Sequence, residues 1–136
     1  MTLNATITPK ELERQATEAF IGKSWRVFLA LRQGTGLSVT STSAAWTAEK
    51  VPTANGYTDA TGTIAAGTYN TTTAAYELAA LTATFTSTGA GYSYDSVIIQ
   101  VDNATYPHSV ILFDAPIFLA AGQTKVYSAV LVQNNA

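Results

Sequence analysis

Tyr76-Glu77-Leu78-Ala79-Ala80-Leu81-Thr82-Ala83-Thr84-Phe85-Thr86-Ser87-Thr88 is the stretch on which the fold is decided. Glu77, Ala79, Leu81, Ala83 and Phe85 alternate with Tyr76, Leu78, Ala80, Thr82 and Thr84, the period of two that places successive side chains on opposite faces of a strand. Gly89-Ala90-Gly91 then interrupts it. The same grammar runs on toward the carboxyl end. Tyr94 to Val101 is β-branched and stops at Asp102-Asn103, Ser109 to Phe113 is apolar, Ile117 to Leu119 follows Pro116, Ala121-Gly122-Gln123 is a turn, and Val126 to Val132 forms the last strand. Strands at this regular spacing, joined by short turns, predict a mainly β protein built as an antiparallel β-sandwich or jelly roll.

Toward the amino end, Trp25, Val27, Leu29 and Leu31 oppose Arg26, Phe28, Ala30 and Arg32, which predicts a half-buried strand closed by Gly34-Thr35-Gly36. The Ser/Thr-rich run from Leu37 to Thr47 is compatible with a further strand on β-propensity, with Trp46 as its large anchor. Ala48 to Ala75 holds the turn formers Pro52, Asn55-Gly56, Gly62 and Gly67, so short strands or one long excursion are expected, tied down by Tyr57, Ile64 and Tyr69. Ahead of all this, Thr8-Pro9-Lys10-Glu11 combines a capping hydroxyl, a proline at the first helical position and a glutamate at the third. Leu12, Ala16, Ala19 and Phe20 follow at helical spacing and Gly22 stops the run, which predicts one amphipathic helix over 9–21 preceded by a loose arm over 1–7. The expected organisation is an arm and helix over 1–22 and a β-sandwich domain over 23–136.

Composition narrows what such a domain can do. The chain is 47% hydrophobic and only 12% charged, about half the usual charged share, and Thr and Ala fill the difference. An exterior of this kind is easily desolvated and suits a protein packed among neighbours. From Val51 to Thr124 there is no Lys or Arg, and the amino-terminal cations are interleaved with Glu11, Glu13, Glu18 and Glu49, so no nucleic-acid partner is expected. The asymmetry instead suggests the basic end of one subunit, Arg14 and Arg32 included, against the acidic body of another. With no cysteine there is neither a disulfide framework nor a thiolate metal site. Met1-Thr2-Leu3-Asn4 lacks a secretory leader, and no apolar run is long enough to span a bilayer, so neither secretion nor a membrane partner is expected.

Chemistry-bearing patterns are sparse. His108 is the single histidine and sits in Tyr106-Pro107-His108-Ser109 without a nucleophile-elbow glycine pattern, so it reads as a polar strand-start residue. Asp95, Asp102 and Asp114 flank strands but lack the spacing of a metal loop, and Asp102-Asn103 reads as a turn. Gly89-Ala90-Gly91 has no following lysine, so it is not a phosphate loop. Asn4-Ala5-Thr6, Asn70-Thr71-Thr72 and Asn103-Ala104-Thr105 match a glycosylation acceptor that has no meaning without secretion. No catalytic residue, cofactor or metal is expected, and the protein reads as a non-enzyme. The residues expected to meet neighbouring subunits are Leu12, Arg14, Ala16, Phe20, Trp25, Arg32, Trp46, Tyr57 and Tyr69.

Several stretches together resemble a family of small virion structural proteins of tailed bacteriophages, particularly those of aquatic and photosynthetic bacteria. These are Lys23-Ser24-Trp25-Arg26-Val27-Phe28-Leu29-Ala30-Leu31, a Thr/Ala/Gly-rich middle, Ala83-Thr84-Phe85-Thr86, Ser96-Val97-Ile98-Ile99-Gln100-Val101, Val110-Ile111-Leu112-Phe113-Asp114, Ala121-Gly122-Gln123 and Val126-Tyr127-Ser128-Ala129-Val130. The resemblance covers roughly Lys23 to Gln133, leaving the capped helix outside it. It implies a part of a virus particle made in the host bacterial cytoplasm. A capsid cement or decoration protein bound to the major capsid protein is favoured, and a tail, baseplate, neck or fibre component is the alternative. It also implies repeated copies, with trimers the expected closed assembly. A contrasting expectation is a carbohydrate-binding module at a fibre, in which exposed Trp46, Tyr57 or Tyr69 would stack on sugar rings.

Overall fold

The computed structural model describes residues 6–134, so most of the arm expected over 1–7 lies outside the described residues. The chain is mainly β, with antiparallel sheets and an amino-terminal helix, as the sequence pattern predicts. The elements in order are α1 (Pro9–Ala19), β1 (Ser24–Ala30), α2 (Ser43–Ala48), β2 (Ala60–Thr63), β3 (Thr68–Asn70), β4 (Ala75–Glu77), β5 (Leu81–Thr86), β6 (Tyr92–Val101), β7 (Ser109–Leu119), β8 (Thr124–Ala129) and β9 (Val132–Asn134). They form two compact units, neither contiguous in sequence. One takes the described residues of Met1–Lys23, Thr63–Leu81 and Ser128–Ala136; the other is Ser24–Gly62 with Thr82–Tyr127.

In the first unit, α1 begins as its sequence dictates: the Thr8 hydroxyl accepts the Glu11 N–H at 3.3 Å and Pro9 occupies the first turn. It ends at Ala19, two residues short of the expected limit, and Gly22 adopts φ +82° just beyond. Leu12 and Ala16, one turn apart, are fully buried, and the helix packs on β4 and β9 of the three-stranded sheet β3-β4-β9. In that sheet Gly67 is dictated by close approach, because a Cβ there would collide with the Glu77 carbonyl.

In the second unit the order β2-β1-β6-β7 makes β6 an interior strand and β7 an edge. Phe28 opposite Ile98 and Leu29 opposite Val97 fix the β1/β6 register, and all four are buried. The two-stranded sheet β5-β8 meets the four-stranded one through rings: Phe85 lies 6.4 Å from Tyr127, and Tyr127 lies 6.4 Å from Tyr94 with their hydroxyls 2.7 Å apart. This gives the unit the two-layer form of a sandwich.

Three expectations need correction. The run through Trp46 is a helix, not a strand: Thr42 caps it by accepting the Ala45 N–H at 3.2 Å, and Ala44, Ala45 and Ala48 are strong helix formers. The helix delivers Trp46 into a core with Phe28, Ala30 and Ile98, all fully buried. The alternating stretch from Tyr76 to Thr88 is two strands, as is Val126 to Val132, because each changes sheet midway. Leu78 and Leu131 mark the two breaks and are tied to each other, Leu78 N–H to Leu131 O at 3.0 Å. Conversely, the two short strands expected around Pro116 are one strand, β7, with an irregularity inside it.

Because Trp46 has no exposed surface, Trp46→Ala is expected to lower the unfolding free energy by about 3–5 kcal/mol. Denaturant unfolding followed by circular dichroism measures it, and a loss below about 1 kcal/mol would show that α2 is not part of the core.

Candidate interaction surface

The irregularity in β7 is the most distinctive local structure of the second unit. Tyr94 stands opposite Ile117 and Ser96 opposite Leu112, so Asp95 alone on β6 faces Phe113, Asp114, Ala115 and Pro116 on β7. Proline cannot donate to a ladder, and Pro116 is accommodated because these residues leave it. The break is held from beneath. Asp95 is fully buried, and its Oδ1 accepts the Arg32 backbone N–H at 2.8 Å and the Ser96 hydroxyl at 2.9 Å. The Arg32 side chain donates from Nη2 to the Phe113 carbonyl at 3.2 Å, meeting an acceptor that the bulge has released from the sheet. Asp95 and Arg32 thus set where β7 bends and what it displays.

What it displays is apolar. Ile111, Leu112 and Phe118 are 41%, 38% and 57% exposed, and Val110, Phe113 and Ile117 are half-buried. By the ladder register Ile111 and Phe118 stand on one face of the strand, opposite Val97 and Ser93, and Leu112 on the other, and exposed apolar side chains on an edge strand gain by being covered. Phe113 lies 6.3 Å from Tyr94 and 6.5 Å from Tyr127, so the bulge extends the aromatic contact between the two sheets out to the surface. Beside it, the Lys125 ammonium stands 5.5 Å from the Tyr127 ring centre. Asp114 and Lys125 are both exposed, and neither has an ion-pair partner among the described residues.

Elsewhere Asp59 gathers several polar partners, while Arg26 Nε, Ser43 Oγ and Trp46 Nε1 are buried without a hydrogen-bond partner among the described residues. Asp59 Oδ2 takes Lys50 Nζ at 3.1 Å and Arg26 Nη1 at 3.5 Å, while its Oδ1 accepts the Tyr57 hydroxyl at 2.8 Å. The Tyr57 oxygen in turn accepts the Leu29 N–H at 2.9 Å, so a buried phenol joins the β1 backbone to the Asp59 carboxylate. Burial, reinforced by Asp59, raises the Tyr57 pKa well above that of an ordinary tyrosine; burial and the Tyr127 hydroxyl do the same for Tyr94. Arg14 is held by Glu11 and Glu18 of its own helix.

The residues singled out from sequence are therefore dispersed. Leu12 and Ala16 are buried beneath α1 in the first unit, where Phe20 and Tyr69 are half-buried and Arg14 is exposed. In the second unit Trp25, Trp46 and Tyr57 are buried and Arg32 holds the bulge. Trp46 and Tyr57 offer no face on which a sugar could stack. Ile111, Leu112, Phe118, Asp114 and Lys125 were not singled out, although the near-continuous apolar sequence around Pro116 carried a signal for an edge strand. His108 lies at the start of β7 with Nδ1 2.7 Å from the Ser109 hydroxyl. No group of three or more His, Asp or Glu side chains able to hold a metal occurs among the described residues, nor does a helix long and apolar enough to cross a membrane. Comparison with family models, with curated proteins and with solved structures finds no match to this chain.

Two outcomes follow from these polar contacts. Removing the Asp95 acceptor in Asp95→Ala leaves the Arg32 N–H buried and unmet, and is expected to lower the unfolding free energy by about 1–3 kcal/mol; a neutral result in denaturant titration would contradict the part given to Asp95. For Tyr57 and Tyr94 the folded pKa is raised, so their contribution to stability is fully present below the unfolded value of about 10 and is lost as pH climbs above it. Absorbance in the tyrosinate band should show these two phenols ionising only as the fold is lost, whereas reversible ionisation of all seven tyrosines with intact ellipticity would contradict it.

Proposed function

We propose that this protein is a non-enzymatic structural subunit present in many copies in a virus particle, with decoration of the capsid shell as its role. The observation that carries the reading is the exposed apolar surface of β7, where Ile111, Leu112 and Phe118 stand open at a sheet edge. An isolated chain gains nothing from such a surface, whereas a subunit covered by neighbours does. The low charge and the stretch without Lys or Arg from Val51 to Thr124 favour close packing against protein over attachment to nucleic acid. The setting in a bacteriophage particle comes from the resemblance of the strand sequences, and the compact size suits a decorating module.

Imaging the protein within purified particles tests this, with copy number measured relative to the major capsid protein. Near-equal numbers are expected; tens of copies or fewer would move it to the neck, baseplate or fibres, and absence from particles would overturn the reading. In solution the purified chain should associate as its concentration rises. Replacing the open residues in Ile111→Ser or Phe118→Ser should weaken that association at least several-fold, as sedimentation reads it, with little change in unfolding.

A further inference from the structure

We propose that Asn55 is a site of self-modification, where the Gly56 backbone nitrogen displaces the side-chain amide as ammonia, and that the fold sets the rate by clamping that amide onto the turn Gly89-Ala90-Gly91.

The residue pair supplies the chemistry. Of the six asparagines only Asn55 is followed by glycine; the others precede Ala, Thr or Asn. A side chain on the following residue hinders approach of its nitrogen to the asparagine Cγ, and glycine has none. The deprotonated Gly56 nitrogen bonds to Asn55 Cγ, the Cγ–Nδ2 bond breaks, and ammonia leaves with the proton. Water then opens the cyclic imide at either carbonyl. The products are aspartate, or isoaspartate, in which the main chain runs on through the former side-chain carbon.

The turn supplies the control. Asn55 and Gly56, at φ +54° and +82°, are the central residues of a turn closed by the Tyr57 N–H on the Ala54 carbonyl at 3.0 Å. Both are exposed, so water reaches them. The Asn55 side chain is held at both ends by the turn between β5 and β6: Nδ2 donates to the Gly91 carbonyl at 3.1 Å, and Oδ1 accepts the Ala90 N–H at 3.4 Å. The Asn55 carbonyl also accepts the Thr88 N–H at 2.8 Å. Bringing Cγ onto the Gly56 nitrogen takes the amide away from Ala90 and Gly91. Conversion therefore proceeds from an opened form, and its rate follows the population of that form. The change is one-way. Aspartate has no donor for the Gly91 carbonyl, and isoaspartate lengthens the chain beside Tyr57, whose hydroxyl accepts the Leu29 N–H.

Gly89→Ala separates the clamp from the chemistry, because a Cβ there would stand 2.9 Å from Asn55 Oδ1 with only Asn55 in reach. Full-length parent, Gly89→Ala and Gly56→Ala are incubated at mildly alkaline pH, in native buffer and in guanidinium chloride, and conversion at Asn55 is followed by peptide mass spectrometry. The folded parent is expected to convert about tenfold or more slowly than the denatured one. Gly89→Ala, verified as folded by circular dichroism, is expected to convert several-fold faster than the folded parent and at the parent rate in denaturant. Gly56→Ala in denaturant is expected to suppress conversion. A parent that converts equally fast folded and denatured, or a folded Gly89→Ala no faster than the parent, would overturn the clamp. Denatured Gly56→Ala matching the parent would overturn the attack by Gly56. Should Gly89→Ala fail to fold, hydrogen exchange at the Thr88 amide of the parent decides: protection by a factor similar to the slowing of conversion supports the clamp, and an unprotected amide overturns it.

Discussion

A buried carboxylate draws donors to itself, and in the second unit Asp95 does so through Oδ1, while its Oδ2 is buried without a partner among the described residues. Asp95 is enclosed in the interior strand of the sheet and takes the Arg32 N–H and the Ser96 hydroxyl on one oxygen. Once Arg32 is anchored there by its backbone, its guanidinium reaches the Phe113 carbonyl, which the neighbouring strand no longer uses in the ladder. A four-residue departure from the sheet is thereby given a defined place, and a proline that a regular strand would exclude becomes acceptable. The position of Phe113 and Asp114 at the surface depends on a charge that is itself invisible from outside.

Around that corner the unit is closed by aromatic side chains. Tyr94, Tyr127, Phe85 and Phe113 join the two sheets, Trp46 fills the space above Phe28 and Ile98, and Tyr57 connects the β1 backbone to Asp59. Four of the basic residues are engaged within the chain: Arg26 and Lys50 on Asp59, Arg32 on the bulge, Arg14 on its own helix. The suggestion from charge order, that Arg14 and Arg32 reach into another subunit, thus meets side chains already occupied within their own. What remains open includes Ile111, Leu112 and Phe118 of β7. Function, as proposed, resides in that remainder.

Much of this was legible in the residues. The cap at Thr8 with Pro9 and Glu11 announced α1, and alternation around Phe28 and Phe85 announced strands, because hydrogen-bond satisfaction and side-chain period are local properties. Change of sheet is not local. Nothing in Tyr76 to Thr88 shows that the chain passes from one sheet to another at Leu78, since alternation reports burial and not the identity of the partner strand. Trp46 misled for the opposite reason: β-propensity in a Ser/Thr-rich run outweighed the alanines and the cap at Thr42, although a helix could also bury the ring. The aromatic anchors were recognised as important, but whether a ring fills a core or an interface depends on contacts far away in sequence. β7 was divided at Pro116 because proline usually ends a strand, and the buried Asp95 that makes the exception has no signature of its own.

The central claim is that β7 is a surface meant to be covered, and amide hydrogen exchange tests it directly in the unmodified protein. Exchange within Ser109–Leu119 is followed while protein concentration is raised through the range in which copies associate. Protection is expected to grow with concentration within Ser109–Leu119 and to stay constant in α1 and in the interior strand β6. Exchange in β7 that is independent of concentration, or protection that grows elsewhere instead, would contradict it.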